Sequence, residues 1–233
     1  MARDVPPVTR TSALPHMKTI STALFHRVLP PERPGPGPHP GLVLLHGRGA
    51  DEEDLLGLAS AFDERFFVIS ARAPFPYDFG GYTWYDAGTA GVPEPRMFRE
   101  SCDRLSRFLD DIRAQYPLDP QKVVLFGFSM GCVMSFAMAL SRPGLVKGVS
   151  ANSGYVPVGT HLELQWQQLA ETSFFITHGT LDPVIPIEMA RQTRTLFERS
   201  NALFIYREYP AGHQLTDSGV EDIAQWLRTL IDT

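Results

Sequence analysis

From Gly41 onward the chain alternates between two hydrophobic rhythms. Short runs are rich in β-branched and aromatic residues, several of them apolar nearly throughout: GLVLLHG, RFFVISA, KVVLFGFS, VKGVSANSG, SFFITHGT and ALFIYREYP. Such unbroken runs predict strands covered on both faces. Between them, apolar residues recur every three or four positions. Phe98, Cys102, Leu105, Leu109, Ile112 and Tyr116 fall on one face of a helix over residues 96–116. Residues 130–142, 186–200 and 217–231 are spaced similarly, with Ile223, Leu227 and Leu230 aligned in the last. The alternation predicts an α/β fold, a mostly parallel sheet with helices on both faces. In such sheets ligands bind beyond the carboxyl ends of the strands, which directs the search for chemistry.

The flanks of this pattern differ from it. Nine of the twenty prolines precede residue 41, and MARDVPPVTRTSALPHM has no periodicity. Residues 1–20 are therefore expected to be a disordered leader, with Met17 an alternative start, and residues 21–233 one domain. STALFHRVLP has strand character, and PERPGPGPHP reads as an exposed connection. Residues 73–95 form a long connection with six aromatics and four prolines; irregular segments of that length are usually functional.

Composition narrows the function classes. A net charge of −5 and a pI near 5.8 offer no electrostatic reason for a nucleic-acid partner. No run of 18 apolar residues predicts a membrane anchor, and the N-terminus lacks the apolar core of a secretory signal. Cys102 and Cys132 both fall in apolar helical settings, as reduced, buried thiols of a cytoplasmic protein would.

The chemistry gathers at the strand ends. KVVLF runs into GFSMG and then into the apolar CVMSFAMAL, which places Gly-x-Ser-x-Gly between a strand and a helix. In that context Ser129 projects from a sharp turn as a candidate nucleophile, with the small residues Gly127 and Gly131 where strand and helix crowd. A serine hydroxyl needs a base, usually a histidine oriented by a carboxylate. In this fold class the order along the chain is Ser, then Asp or Glu, then His. Asp182 follows the strand SFFITHG and His213 follows ALFIYREY. Of the seven histidines, only His213 combines that order with a position after a strand. His46 and His178 each end a strand before a glycine, where a ring buttresses the turn. Taken singly, Asp182 could merely open a turn and His213 be an ordinary loop residue; together with Ser129 they form a candidate triad.

Acyl transfer also needs two N–H donors for the developing oxyanion. Met130, after the nucleophile, supplies one. LLHGRG ends an earlier strand, and its glycines let the Arg48 amide supply the other. The acids Asp51, Glu52, Glu53 and Asp54 that follow are expected in the first turn of a short helix, favoured by its dipole. No Cys/His cluster, calcium-loop spacing or phosphate-binding Lys-Ser/Thr loop accompanies them, so neither metal nor phosphate is expected. The Arg48 side chain leans on Asp51 or Glu52, or faces substrate; the sequence leaves both open.

With these residues in place, the chain resembles the phospholipase/carboxylesterase family of α/β-hydrolases, small bacterial carboxylesterases related to acyl-protein thioesterases. The resemblance runs from about Phe25 to the C-terminus. It rests on LLHGRGADEEDLL, TWYD, GFSMGCVMS, HGTLDPVIP and AGHQL. It implies an α/β-hydrolase fold without a large cap domain and a Ser129/Asp182/His213 esterase working through an acyl-enzyme, with no metal or organic cofactor. The open site would be shaped by residues 73–95, with Trp84 and Tyr85 as candidate walls or as plain packing. The family often has leucine where Arg48 stands.

The substrate expected is a small-molecule ester with a short-to-medium acyl chain. An acyl-protein thioesterase or lysophospholipase acting on longer chains is the alternative within the same chemistry. A non-catalytic binding module would typically lack a triad member, and a dienelactone-type hydrolase would carry cysteine at position 129; Cys132 stands three positions too late. Exposed apolar surface at the sheet edge is compatible with a homodimer.

Overall fold

The computed structural model describes residues 20–88 and 91–232. Its strands are β1 (His26–Leu29), β2 (His39–Leu45), β3 (Phe67–Ala71), the two-residue β4 (Phe75–Pro76) and β5 (Tyr82–Thr83), β6 (Leu118–Phe128), β7 (Gly148–Asn152), β8 (Ser173–Gly179) and β9 (Leu203–Tyr209). Seven of them form one sheet in the order β1-β3-β2-β6-β7-β8-β9. Every pairing in that sheet is parallel except β1 with β3. The helices are α1 (Pro95–Gln115), α2 (Met130–Ser141), α3 (Ile187–Phe197) and α4 (Asp217–Asp232), with a short 3₁₀ turn at Leu56–Ala61.

Alternation along the central strands sorts their side chains into two cores. Val43, Leu45, Val123, Leu125, Val149, Phe174 and Ile176 pack with α1, α2 and Phe197 of α3. Leu42, Leu44, Val124, Phe126 and Phe175 pack with α4 and with Phe62 and Phe66 beside the 3₁₀ turn. The helix α1 starts at Pro95, suited to the first helical position, and the Glu94 carboxylate caps the amides of Arg96 (3.1 Å) and Met97 (2.6 Å). Its buried face carries Phe98, Leu105, Phe108, Leu109 and Ile112, each no more than 1% exposed. Burial on that scale is worth about 1.5–3 kcal/mol per side chain. α2 is buried from Met130 through Leu140, as an all-round apolar helix must be.

The structure departs from the sequence pattern in three places. β9 is an edge strand, and Leu203 and Ile205 stay 65% and 40% exposed, because α4 lies over β8, with Trp226 against Phe175. The 73–95 segment is not wholly irregular, since β4 and β5 pair as a small antiparallel ribbon. The acids 51–54 do not occupy the first turn of a helix; they lie in turns ahead of the 3₁₀ segment. Of the expected leader only Ile20 lies within the described residues, its amide near the Tyr116 hydroxyl (3.4 Å). Cys102 and Cys132 are free and buried, and burial pushes the Cys102 thiol up to about 12. Among the described residues no helix is long and apolar enough to cross a membrane.

The acidic run is displaced because Glu52 turns inward. Its carboxylate takes Nε and Nη2 of Arg72, both at 2.5 Å, while Arg72 Nη1 donates to the Tyr82 hydroxyl (3.0 Å). The Arg72 guanidinium also lies over the rings of Phe25 and Tyr82. Hydrogen bonding from Arg72 outweighs burial and holds the Glu52 carboxyl below its ordinary value of 4.5. A carboxyl lowered in the folded state stabilises the fold above that ordinary value, and the contribution disappears as pH falls through the folded one. Glu52→Gln is therefore expected to cost roughly 1–3 kcal/mol near neutrality. The gap between variant and parent should close as the pH drops below 4.5. Urea unfolding at a series of pH values measures both.

Candidate active site

The ends of β6, β8 and β9 deliver three side chains to one point beyond the carboxyl edge of the sheet. Between β6 and α2 a single residue, Ser129, turns the chain, with φ 56° and ψ −117°. A non-glycine residue held there costs about 1–3 kcal/mol. The turn is tight because helix and strand nearly touch: a Cβ on Gly131 would run into the carbonyls of Leu45 and His46, and one on Gly127 into that of Gly131. The Ser129 amide donates to the Asn152 carbonyl (2.9 Å). The Asn152 side chain donates to Gly127 O (3.1 Å) and accepts from Thr177 Oγ1 (2.7 Å). Sequence reading missed Asn152, although SANSG ends a strand at the same edge.

Asp182 gives each carboxylate oxygen a separate task. Oδ1 accepts the amides of Val184 (2.8 Å) and Ile185 (2.9 Å), which closes the turn after β8. Oδ2 accepts from His213 Nδ1 at 2.7 Å. Burial alone would raise this carboxyl. The Ile185 amide, the His213 ring and the Val184 amide outweigh it and hold the group below the usual carboxylate range. Asp182 therefore stays ionised, His213 Nδ1 carries the proton, and Nε2 is free to accept from Ser129 Oγ, 2.9 Å away. His213 owes its position to the loop after β9, where Leu181 N–H donates to Ala211 O (3.0 Å) and Thr180 N–H to Tyr209 O (2.8 Å). The ring of Phe128 flanks the imidazole, centroids 5.1 Å apart.

Two buried histidines brace these turns. His178 Nε2 donates to Ile185 O (2.8 Å) and lies 3.4 Å from Asp182 Oδ2. His46 accepts the Ala73 amide at Nε2 (3.0 Å), so its proton sits on Nδ1 and donates to Gly47 O (2.6 Å). Burial lowers the His46 pKa and keeps the ring neutral. Gly47 packs on the serine turn, its Cβ position 3.3 Å from Ser129 Cβ. Arg48 follows Gly47, and Met130 follows Ser129, so both residues adjoin that contact. Among the described residues no acceptor is paired with either amide.

Beside Ser129 opens a cavity of about 250 Å³, bounded by Met130, Val133, Tyr155, Val184 and Ile185 and by Tyr85, Ala87 and Gly88. Tyr85 lines it; Trp84 does not. Trp84 is fully buried in the core, where its indole N–H donates to the His46 carbonyl (2.9 Å) and its own carbonyl accepts from Ser101. A buried indole needs an acceptor, and the one it finds lies away from the cavity. Arg48 is among the residues that line the cavity, and its guanidinium lies over the Tyr77 ring rather than on Asp51 or Glu52. Among the described residues no group of three or more His, Cys, Asp or Glu could hold a metal ion.

The phospholipase/carboxylesterase family model matches residues 30–231. An acyl-protein thioesterase 1 from Candida albicans is 25% identical over 213 residues, covering 82% of this chain and 92% of that protein. The carboxylesterase of Bacillus cereus superposes with a TM-score of 0.78 at 26% identity, covering 89% and 94% of the two chains. A carboxylesterase from Mesorhizobium loti shares the fold, with a TM-score of 0.80 at 22% identity and coverage of 90% and 97%.

The serine–histidine contact depends on a backbone approach just before the histidine. A Cβ on Gly179 would strike the carbonyls of Ala211 and Gly212. Gly179→Ala is accordingly expected to push the histidine loop outward. In a crystal structure of the variant the Ser129 Oγ to His213 Nε2 distance should exceed the 3.5 Å reach of a hydrogen bond. An unchanged 2.9 Å would show that the loop is held by something else.

Proposed function

We propose that this chain, which belongs to the phospholipase/carboxylesterase family of α/β-hydrolases, is a serine carboxylesterase for esters with short-to-medium acyl chains. The carrying observation is the hydrogen-bonded chain from Asp182 through His213 to Ser129, which opens onto a cavity of about 250 Å³. In the proposed mechanism Ser129 Oγ attacks the ester carbonyl while His213 Nε2 takes its proton. The carbonyl oxygen becomes an oxyanion between the N–H groups of Arg48 and Met130. Asp182 holds the ring in the required tautomer and stabilises the imidazolium. Collapse returns the proton from His213 to the departing alcohol and leaves an acyl-serine. Water, deprotonated by the same imidazole, then releases the acid.

Cavity size supports the shorter substrates. Sites that bury a drug-sized ligand typically span about 300–1,000 Å³, and this one lies below that range. The acyl-protein thioesterase reading draws on the Candida albicans relative's name and on Val184, which lines the cavity yet stays 48% exposed. An acyl chain longer than the cavity would leave along that side.

Hydrolysis of p-nitrophenyl esters from acetate to palmitate, with a palmitoyl thioester in parallel, separates the readings. The expected optimum lies at short chains; an optimum at palmitate with turnover of the thioester moves the assignment to the thioesterase. Ser129→Ala is expected to lower kcat by roughly four to six orders of magnitude with an unchanged melting temperature. Activity near the parent level would remove the nucleophile assignment. Only a neutral imidazole accepts the serine proton, so kcat/KM should fall on acidification with a single-proton dependence. A rate flat from about pH 5 to 8, with chemistry rate-limiting, would exclude a histidine base.

A further inference from the structure

Among the described residues that line the cavity beside Ser129, Arg48 is the one that carries a charge. Of the acids that follow it, Glu52 holds Arg72 and Glu53 holds Arg27, while Asp51 accepts the Glu53 amide. Other surface arginines, such as Arg65 and Arg191, hold carboxylates at 2.8 Å. Among the described residues Arg48 has no such partner; its guanidinium rests over the Tyr77 ring, 5.6 Å from the centroid. An aromatic face orients a guanidinium without cancelling its charge. The backbone around it is fixed, because Gly49 N–H donates to Tyr82 O and Tyr82 N–H to Ala50 O, both at 2.8 Å. The result is a cation beside the site with no carboxylate partner among the described residues, in a protein whose net charge is −5.

We propose that the site prefers esters that themselves carry a carboxylate, which the Arg48 side chain engages while its own N–H faces the oxyanion. The proposal rests on the serine esterase reading above and names its substrate class. A planar guanidinium meets a carboxylate with two parallel N–H donors, a geometry that a neutral ester of the same shape cannot use. Because Arg48 is exposed, the expected discrimination is modest, roughly 3- to 10-fold in kcat/KM. It should weaken with added salt.

The test compares charged and neutral esters of matched shape by pH-stat titration. Monomethyl glutarate against methyl pentanoate places the carboxylate on the acyl side, and 4-acetoxybutanoate against butyl acetate places it on the alcohol side. The readout is the charged-to-neutral ratio of kcat/KM within each pair, which divides out any general loss from altering residue 48. In at least one pair the ratio is expected to fall 3- to 10-fold in Arg48→Gln, to fall further in Arg48→Glu, and to recover partly in Arg48→Lys. Raising the ionic strength should bring the parent ratio toward that of Arg48→Gln. Ratios equal in the parent and Arg48→Gln for both pairs, with turnover still dependent on Ser129, overturn this proposal alone. Absence of Ser129-dependent turnover, even of the neutral esters, would overturn the esterase reading and this one with it.

Discussion

The start of α2 comes so close to the end of β2 that no side chain fits between them, and most of the site follows from that approach. Gly131 lies against the carbonyls of Leu45 and His46, and Gly127 against Gly131. With strand and helix pressed together, the chain must reverse at one residue, and Ser129 takes the positive φ. That strain has to be held from outside. Asn152 does so from β7, accepting the Ser129 amide on its carbonyl and donating its side-chain amide to Gly127. The same approach sets Gly47 against Ser129.

The loops after β8 and β9 solve a related problem, that of fixing a carboxylate and an imidazole on irregular backbone. Asp182 uses one oxygen to close its own turn, so the other is aimed without freedom to rotate. Its charge is maintained against burial by those backbone amides and by His213. The neutral-or-charged choice is thus settled by donors counted on named atoms. His178 and His46, although buried and close to the chemistry, are committed to backbone groups and serve to hold turns.

Electrostatics around the cavity have a different origin. The acidic run after Arg48 does not gather into a cluster, because Glu52 is drawn inward to Arg72 and Glu53 outward to Arg27. Among the described residues Arg48 has no carboxylate paired with it, and it lies over an aromatic ring. In the proposed reading one residue serves the reaction through its backbone and selects substrate through its side chain. A backbone role tolerates any side chain, which leaves the side chain free to vary with the substrate.

Period and punctuation along the chain carried the fold class, the order of strands and helices, and the placement of Ser129, Asp182 and His213 after β6, β8 and β9. These are local properties: an apolar run, a helical repeat and a glycine-flanked serine act through neighbours in sequence, whatever the rest of the chain does. The antiparallel β1, the uncovered face of β9 and the inward turn of Glu52 were not legible, since each depends on a partner distant in sequence. The same holds for the aromatic pair in the 73–95 segment. Trp84 and Tyr85 are adjacent and equally apolar, yet the His46 carbonyl claims the indole and leaves Tyr85 to the cavity. Sequence therefore determined which residues could react; only the tertiary structure decided which ones face the substrate, because in a loop the direction of a side chain is set by the long-range contacts that satisfy its neighbours.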